Sequence, residues 1–192
     1  MGYDSNATRE RILAAATAEF AAHGIAGARV DRIAADARAN KRAIYDYFGD
    51  KDRLFGAVLE RQMTRCAEEV TIEGGDLAGY AERLVDYHAA NPETLRLLMW
   101  EALEYGERAV PGEPERAEKY QKRVDAAAAA NPPVDPRVLV FFTLGLVNWG
   151  FAVPQLRRMV LGADYPPHAL REAVAEAVRV LAKYSPPRPD PV

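Results

Sequence analysis

Asn40-Lys41-Arg42, followed by Tyr45, Tyr47 and Lys51, is a stretch of this 192-residue chain whose side chains suit a definite chemistry. Long cationic side chains in the first turn of a helix can reach guanine O6 and N7 in a major groove, and tyrosine hydroxyls bond phosphate oxygens. At about 100° per residue, Lys41, Arg42, Tyr45 and Asp46 share one arc of a helix over 41–48, opposite Ala43, Ile44, Tyr47 and Phe48. One arc packs inward, and the other presents two cations, a phenol and a carboxylate. From Arg38 to Tyr45 there are three cations and no acid. Taken alone, such a face is more often simply solvated. Catalytic chemistry finds less footing. The chain has three scattered histidines, one cysteine (Cys66), no Glu-x-x-His pair and no glycine-rich phosphate loop. No catalytic residue, metal site or cofactor is expected, and one cysteine allows no disulfide within the chain.

The elements that must position these residues are helices. All 13 prolines lie at or after Pro92, and the intervals between them are rich in Ala, Leu and Glu with apolar residues at helical spacing. Sustained period-two alternation is absent. The chain therefore reads as all-α, with helices over 8–23, 30–37, 41–48, 51–73, 76–90, 93–108, 114–130, 136–151, 154–162 and 168–184. The first three are short and closely joined, which suggests a small N-terminal unit over 1–50 and a larger helical body over 51–184. A Pro-rich tail over 185–192 is expected to be disordered or extended.

In the N-terminal unit Ile12, Leu13, Ala16 and Phe20 share a face, Gly24 suits a helix end, and Val30, Ile33, Ala34 and Ala37 add to the same small core. Asn40 suits the N-cap of helix 41–48. The combined pattern Ile33-Ala34-x-x-Ala37-x-x-Asn40-Lys41-x-Ala43-Ile44-Tyr45-x-Tyr47-Phe48-x-x-Lys51-x-x-Leu54-Phe55 resembles the DNA-binding domain of TetR-family transcriptional regulators over about residues 8–59. The resemblance implies a helix-turn-helix in which Asn40, Lys41, Arg42 and Tyr45 face the groove, while Tyr47 and Lys51 contact phosphates. Arg29 and Arg38 are added as cations beside that face. Two positions depart from the family pattern. Arg38 stands where the turn usually has glycine, so the turn must avoid a positive φ or tolerate strain. Ala28 and Arg29 stand where Thr or Ser usually caps the second helix.

The body offers candidate ligand contacts, each also readable as core. Tyr87 and His88, Trp100 in a dense apolar run, Tyr120, and Phe142, Asn148 and Trp149 in helix 136–151 are expected to line an apolar, aromatic pocket. Helix 136–151 is apolar almost all round and so must be buried on more than one side. With helix 168–184 it suggests more burial than a monomer needs, and the resemblance implies a four-helix dimer interface there. The expected function is a homodimeric transcriptional regulator, most often a repressor in this family, that binds a palindromic double-stranded operator and responds to a small-molecule effector. Helix 51–73, flexible at Gly74-Gly75, would carry the response. A small helical enzyme, or an adaptor binding another protein, is the alternative.

The 25 Lys+Arg and 28 Asp+Glu give a formal charge of −3, which weighs against a general nucleic-acid coat protein. The balance is uneven along the chain. Residues 1–60 hold nine cations and nine acids, so the excess of acids lies in the body. A neutral reading domain implies modest non-specific affinity, with specificity resting on geometry and a few groove contacts. No apolar run approaches the roughly 18 residues of a membrane helix, and the N-terminus lacks the apolar stretch of a signal peptide. No membrane partner and a cytoplasmic location are expected.

Overall fold

The computed structural model describes residues 5–184; the tail expectation for 185–192 lies outside them. The described residues form ten α-helices and no strand: α1 (Ser5–Gly27), α2 (Val30–Asp36), α3 (Lys41–Phe48), α4 (Lys51–Glu69), α5 (Leu77–Ala90), α6 (Pro92–Tyr105), α7 (Glu113–Ala128), α8 (Pro136–Ala152), α9 (Pro154–Leu161) and α10 (Pro167–Lys183). Every proline-marked start holds, because a ring in the first helical turn removes only an N–H that has no intrahelical partner. Asp76 and Asp135 cap α5 and α8 through bonds from Gly79 N and Arg137 N at 2.9 Å each. Helix α4 ends at Glu69, four residues before the expected 73, and Val70-Thr71-Ile72 leaves the helix. Three β-branched residues favour an extended path, and Arg83 Nη2 donates to the Thr71 carbonyl at 2.9 Å.

The helices group into two compact units. The first holds residues through Cys66 together with Pro92–Arg116, so packing joins most of α4 and all of α6 to the first three helices. Its core is Ile12, Leu13, Ala16, Phe20, Ile33, Ile44, Leu54, Phe55 and Leu97, with the Phe20 and Phe55 rings edge to face at 5.2 Å. The second holds Ala67–Asn91 and, of the described residues, those from Ala117 to Tyr184. There α5 packs on α8 and α10 around Leu84, Val85, Leu139, Val147, Val174 and Val178.

In α8 only Leu139, Val140, Thr143 and Val147 are buried. The expectation of burial on several sides fails within one chain, since α5 and α10 cover a single face. Phe141 is 72% exposed and Trp149 59%. No single helix among the described residues is long and apolar enough to cross a membrane; α8 and α9 together have the length and composition but are bent by 86°.

Candidate nucleic-acid interface and effector cavity

Helix α3 is set by its two ends and one buried edge. Asn40 accepts from Arg42 N at 2.8 Å, the N-cap that its residue type implied. Ile44 and Phe48 are buried, which turns Lys41, Arg42 and Tyr45 outward. Tyr47, on the apolar arc by periodicity, is also exposed, with its ring 6.2 Å from that of Phe48. Arg29 and Arg38 are exposed beside the helix, and Lys51 opens α4 with Nζ 3.4 Å from the Ala26 carbonyl. All eight predicted DNA-contacting residues therefore lie in one unit.

The two departures from the family pattern have structural answers. Arg38 adopts φ 50°, so the turn keeps the left-handed conformation and a non-glycine residue bears the strain. The hydroxyl cap missing from α2 has no side-chain substitute at Arg29, and α1 instead satisfies the N–H of that N-cap residue. The Glu19 carboxylate, buried, accepts from Arg29 N at 2.7 Å and from Arg32 Nε at 2.9 Å. The Arg32 hydrogen bond holds the carboxyl below its ordinary value, with the Arg29 N–H adding to it against the cost of burial. Nothing in the helical periodicity of α1 marks Glu19 as that acceptor, because its partners lie ten and thirteen residues downstream.

The outward face carries its own restraint. Lys41 Nζ lies 2.7 Å from Asp31 Oδ1, and this hydrogen bond raises the ammonium above its ordinary range. Arg42 is paired only loosely with Asp46, at 3.9 Å. Two cations thus stand at the first turn of a short exposed helix, free to exchange carboxylate partners for phosphate or base edges.

Residues 12–58 match the family described as bacterial regulatory proteins, tetR family, and residues 76–179 match the tetracyclin repressor-like C-terminal domain. The chain belongs to the TetR family. Its similarity to the HTH-type transcriptional repressor SCO4008 of Streptomyces coelicolor is 45% identity over 183 residues, covering 92% of this chain and 95% of that protein. Among solved structures, the protein SCO4942 of Streptomyces coelicolor superposes with a TM-score of 0.75 at 37% identity, covering 91% of this chain and 97% of that one. A crystal structure of AibR in complex with isovaleryl coenzyme A and operator DNA shares the fold, with a TM-score of 0.67 at 18% identity over 88% of this chain and 97% of that one. As a TetR-family member the chain is a helix-turn-helix transcriptional regulator and not an enzyme.

The predicted ligand contacts of this TetR-family chain do not form one site. Tyr87 and His88 of α5 and Asn148 of α8 come together in the second unit. His88 is buried with its ring 5.8 Å from Phe151, and burial pushes its pKa from 6.5 to about 4, only partly offset by the neighbouring Asn148 side chain. Asn148 Oδ1 and His88 Nδ1 are buried, each without a partner meeting hydrogen-bond geometry. Phe142 and Trp149 face outward instead of lining a pocket, because α8 carries more apolar residues than its two neighbours cover. Trp100 belongs to the first unit, where its indole is committed to α1, and Tyr120 lies half-buried under the Arg123 guanidinium at 5.2 Å.

The first unit contains a cavity of about 370 Å³ lined by none of those residues. Gly56, Ala57, Leu59 and Glu60 of α4 form one wall; Glu101 of α6 and Pro111, Gly112 and Arg116 at the start of α7 form the other. Within that wall Arg116 makes a bidentate pair with Glu101, Nη1 to Oε2 at 2.8 Å and Nη2 to Oε1 at 3.0 Å, both residues largely buried. Small residues on α4 open this space, a signal that periodicity does not carry.

Proposed function

We propose that the protein is a cytoplasmic homodimeric repressor that places α3 of each subunit in successive major grooves of a palindromic operator, about 34–36 Å apart. The observation that carries the reading is the face of α3: Lys41, Arg42 and Tyr45 outward, Ile44 and Phe48 inward. In this reading Lys41 and Arg42 read base edges, Asn40 and Tyr45 flank them, and Arg29, Arg38, Tyr47 and Lys51 hold phosphates. The head over 1–50 reads DNA, and residues 51–184 bind effector and dimerise. A repressor's role is supported by the similarity to a repressor across nearly the whole chain.

A second copy of the chain pairs through helices at 136–151 and 168–184. Support comes from the apolar side chains that α8 and α10 leave uncovered, among them Phe141, Phe142, Trp149 and Val180. A small-molecule effector occupies the cavity against α4, whose first residue is Lys51, and releases the operator by displacing that helix; Tyr87, His88 and Asn148 offer a second polar contact group. Effector and DNA then weaken each other's binding by the same factor. Footprinting on the protein's own promoter region tests the reading. Two protected half-sites related by a dyad are expected, and protection of a single unpaired site would overturn the dimeric arrangement.

A further inference from the structure

Gly24 sits at φ 69°, ψ −179° inside the otherwise continuous α1. This combination is essentially reserved for glycine. The ψ turns the Gly24–Ile25 peptide out of the helical direction and interrupts the ladder where it would close on the Ala21 carbonyl. A buried carbonyl needs another donor. Two come from α6: Arg96 Nε donates to Ala21 O, and Trp100 Nε1 donates to the same oxygen at 3.2 Å. The six-membered ring of the indole fills the space a side chain at residue 24 would take; a Cβ there would fall 2.8 Å from Trp100 Cε3. Kink, bared carbonyl, donors and ring fit one another.

We propose that Arg96 and Trp100 are positioning residues for operator recognition. By capturing the Ala21 carbonyl they fix the C-terminal end of α1, and through it the segment that leads into α2 and α3. Glu19, which accepts from the N-cap residue of α2, lies two residues before Ala21, and Ala26, whose carbonyl meets Lys51, lies five after it. The next residue on α6 is Glu101, which lines the cavity and holds Arg116. Adjacent residues of one helical turn therefore grip the reading head and the cavity wall. An occupant that disturbs the Glu101–Arg116 pair acts on the neighbour of the residue that holds α1, giving α6 a route to the head separate from that through α4.

This inference rests on the reading of α3 as the DNA-contacting helix, and its test separates the two. The full-length chain first selects a duplex from a random library. Arg96→Met and Trp100→Phe, singly and together, are then measured by gel shift against the selected duplex and a scrambled one of equal length, with circular dichroism melting in parallel. The double variant is expected to lose tenfold or more in affinity for the selected duplex while staying within twofold on the scrambled one, and Arg96→Lys, which keeps a donor, to recover part of the loss. Selected-duplex affinity within twofold of wild type, or a parallel fall on both duplexes, overturns the proposal. If the double variant does not fold, Trp100→Phe alone decides, with a threefold loss on the selected duplex expected and no loss overturning it. Enrichment of no duplex by the wild-type chain overturns the DNA reading itself, and the positioning role with it.

Discussion

Glu19→Ala removes the acceptor that α1 supplies to the N-cap residue of α2. Arg29 N donates to Glu19 Oε1 at 2.7 Å, and no side chain at the N-cap itself replaces that acceptor. Loss of a capping acceptor, which leaves the Arg29 N–H without its side-chain partner, costs up to about 2 kcal/mol. The ion pair with Arg32 is left out of this figure, because the guanidinium is solvated. A loss of about 2 kcal/mol corresponds to a roughly 30-fold shift in the folding equilibrium and to about 4–8 °C in melting temperature for a chain of this length. Thermal melts of wild type, Glu19→Ala and Glu19→Gln decide it; Gln keeps an acceptor for Arg29 N and should recover more than half the loss. Because the folded-state pKa is depressed, the carboxylate's stabilisation is present above its unfolded value of 4.5 and disappears as pH falls below it. The gap between wild type and Glu19→Ala should therefore narrow in acid. A Glu19→Ala melting temperature within 1 °C of wild type, or Gln as damaging as Ala, would refute the capping argument.

Three further outcomes follow from the same structure. Arg38→Gly relieves a left-handed residue and should raise stability by about 0.5–1 kcal/mol, net of the entropy glycine adds to the unfolded chain, while weakening DNA binding; melting and gel shift moving in the same direction would contradict it. His88, depressed from 6.5 to about 4, contributes stability above pH 6.5 that is lost as pH falls toward 4, about 3 kcal/mol at the limit; urea unfolding of wild type should show this decline and His88→Leu should lack it, with parallel profiles counting against it. Phe141→Asp with Trp149→Asp places charge on the uncovered face of α8 and should convert a dimer to a monomer in analytical ultracentrifugation with the helical content unchanged; an intact dimer would remove α8 from the interface.

The helices were legible because their boundaries are written locally. Proline at a first turn, Asn40 at an N-cap, and apolar residues at helical spacing act within a few residues of themselves. The outward face of α3 was legible for the same reason. What escaped depends on partners far along the chain. Glu19 reads as an ordinary helix residue until α2 folds against it, and Trp100 reads as pocket or core until Ala21, 79 residues away, offers its carbonyl. Periodicity marked α8 as apolar all round but not which faces its own chain would cover, so Phe142 and Trp149 were placed inward and lie outward. The cavity beside α4 arises from small residues, Gly56 and Ala57, which leave no apolar stripe to read.

The proposed reading of the operator by α3 rests on Lys41 and Arg42. Equilibrium binding by fluorescence anisotropy, over a salt series, compares wild type, Lys41→Ala and Arg42→Ala on the operator duplex and on single-base variants of each half-site. Each substitution is expected to cost about 1–3 kcal/mol on the operator and to relax discrimination at one base pair per half-site. Full sequence-specific affinity in both variants, with discrimination intact at every base pair, would contradict it.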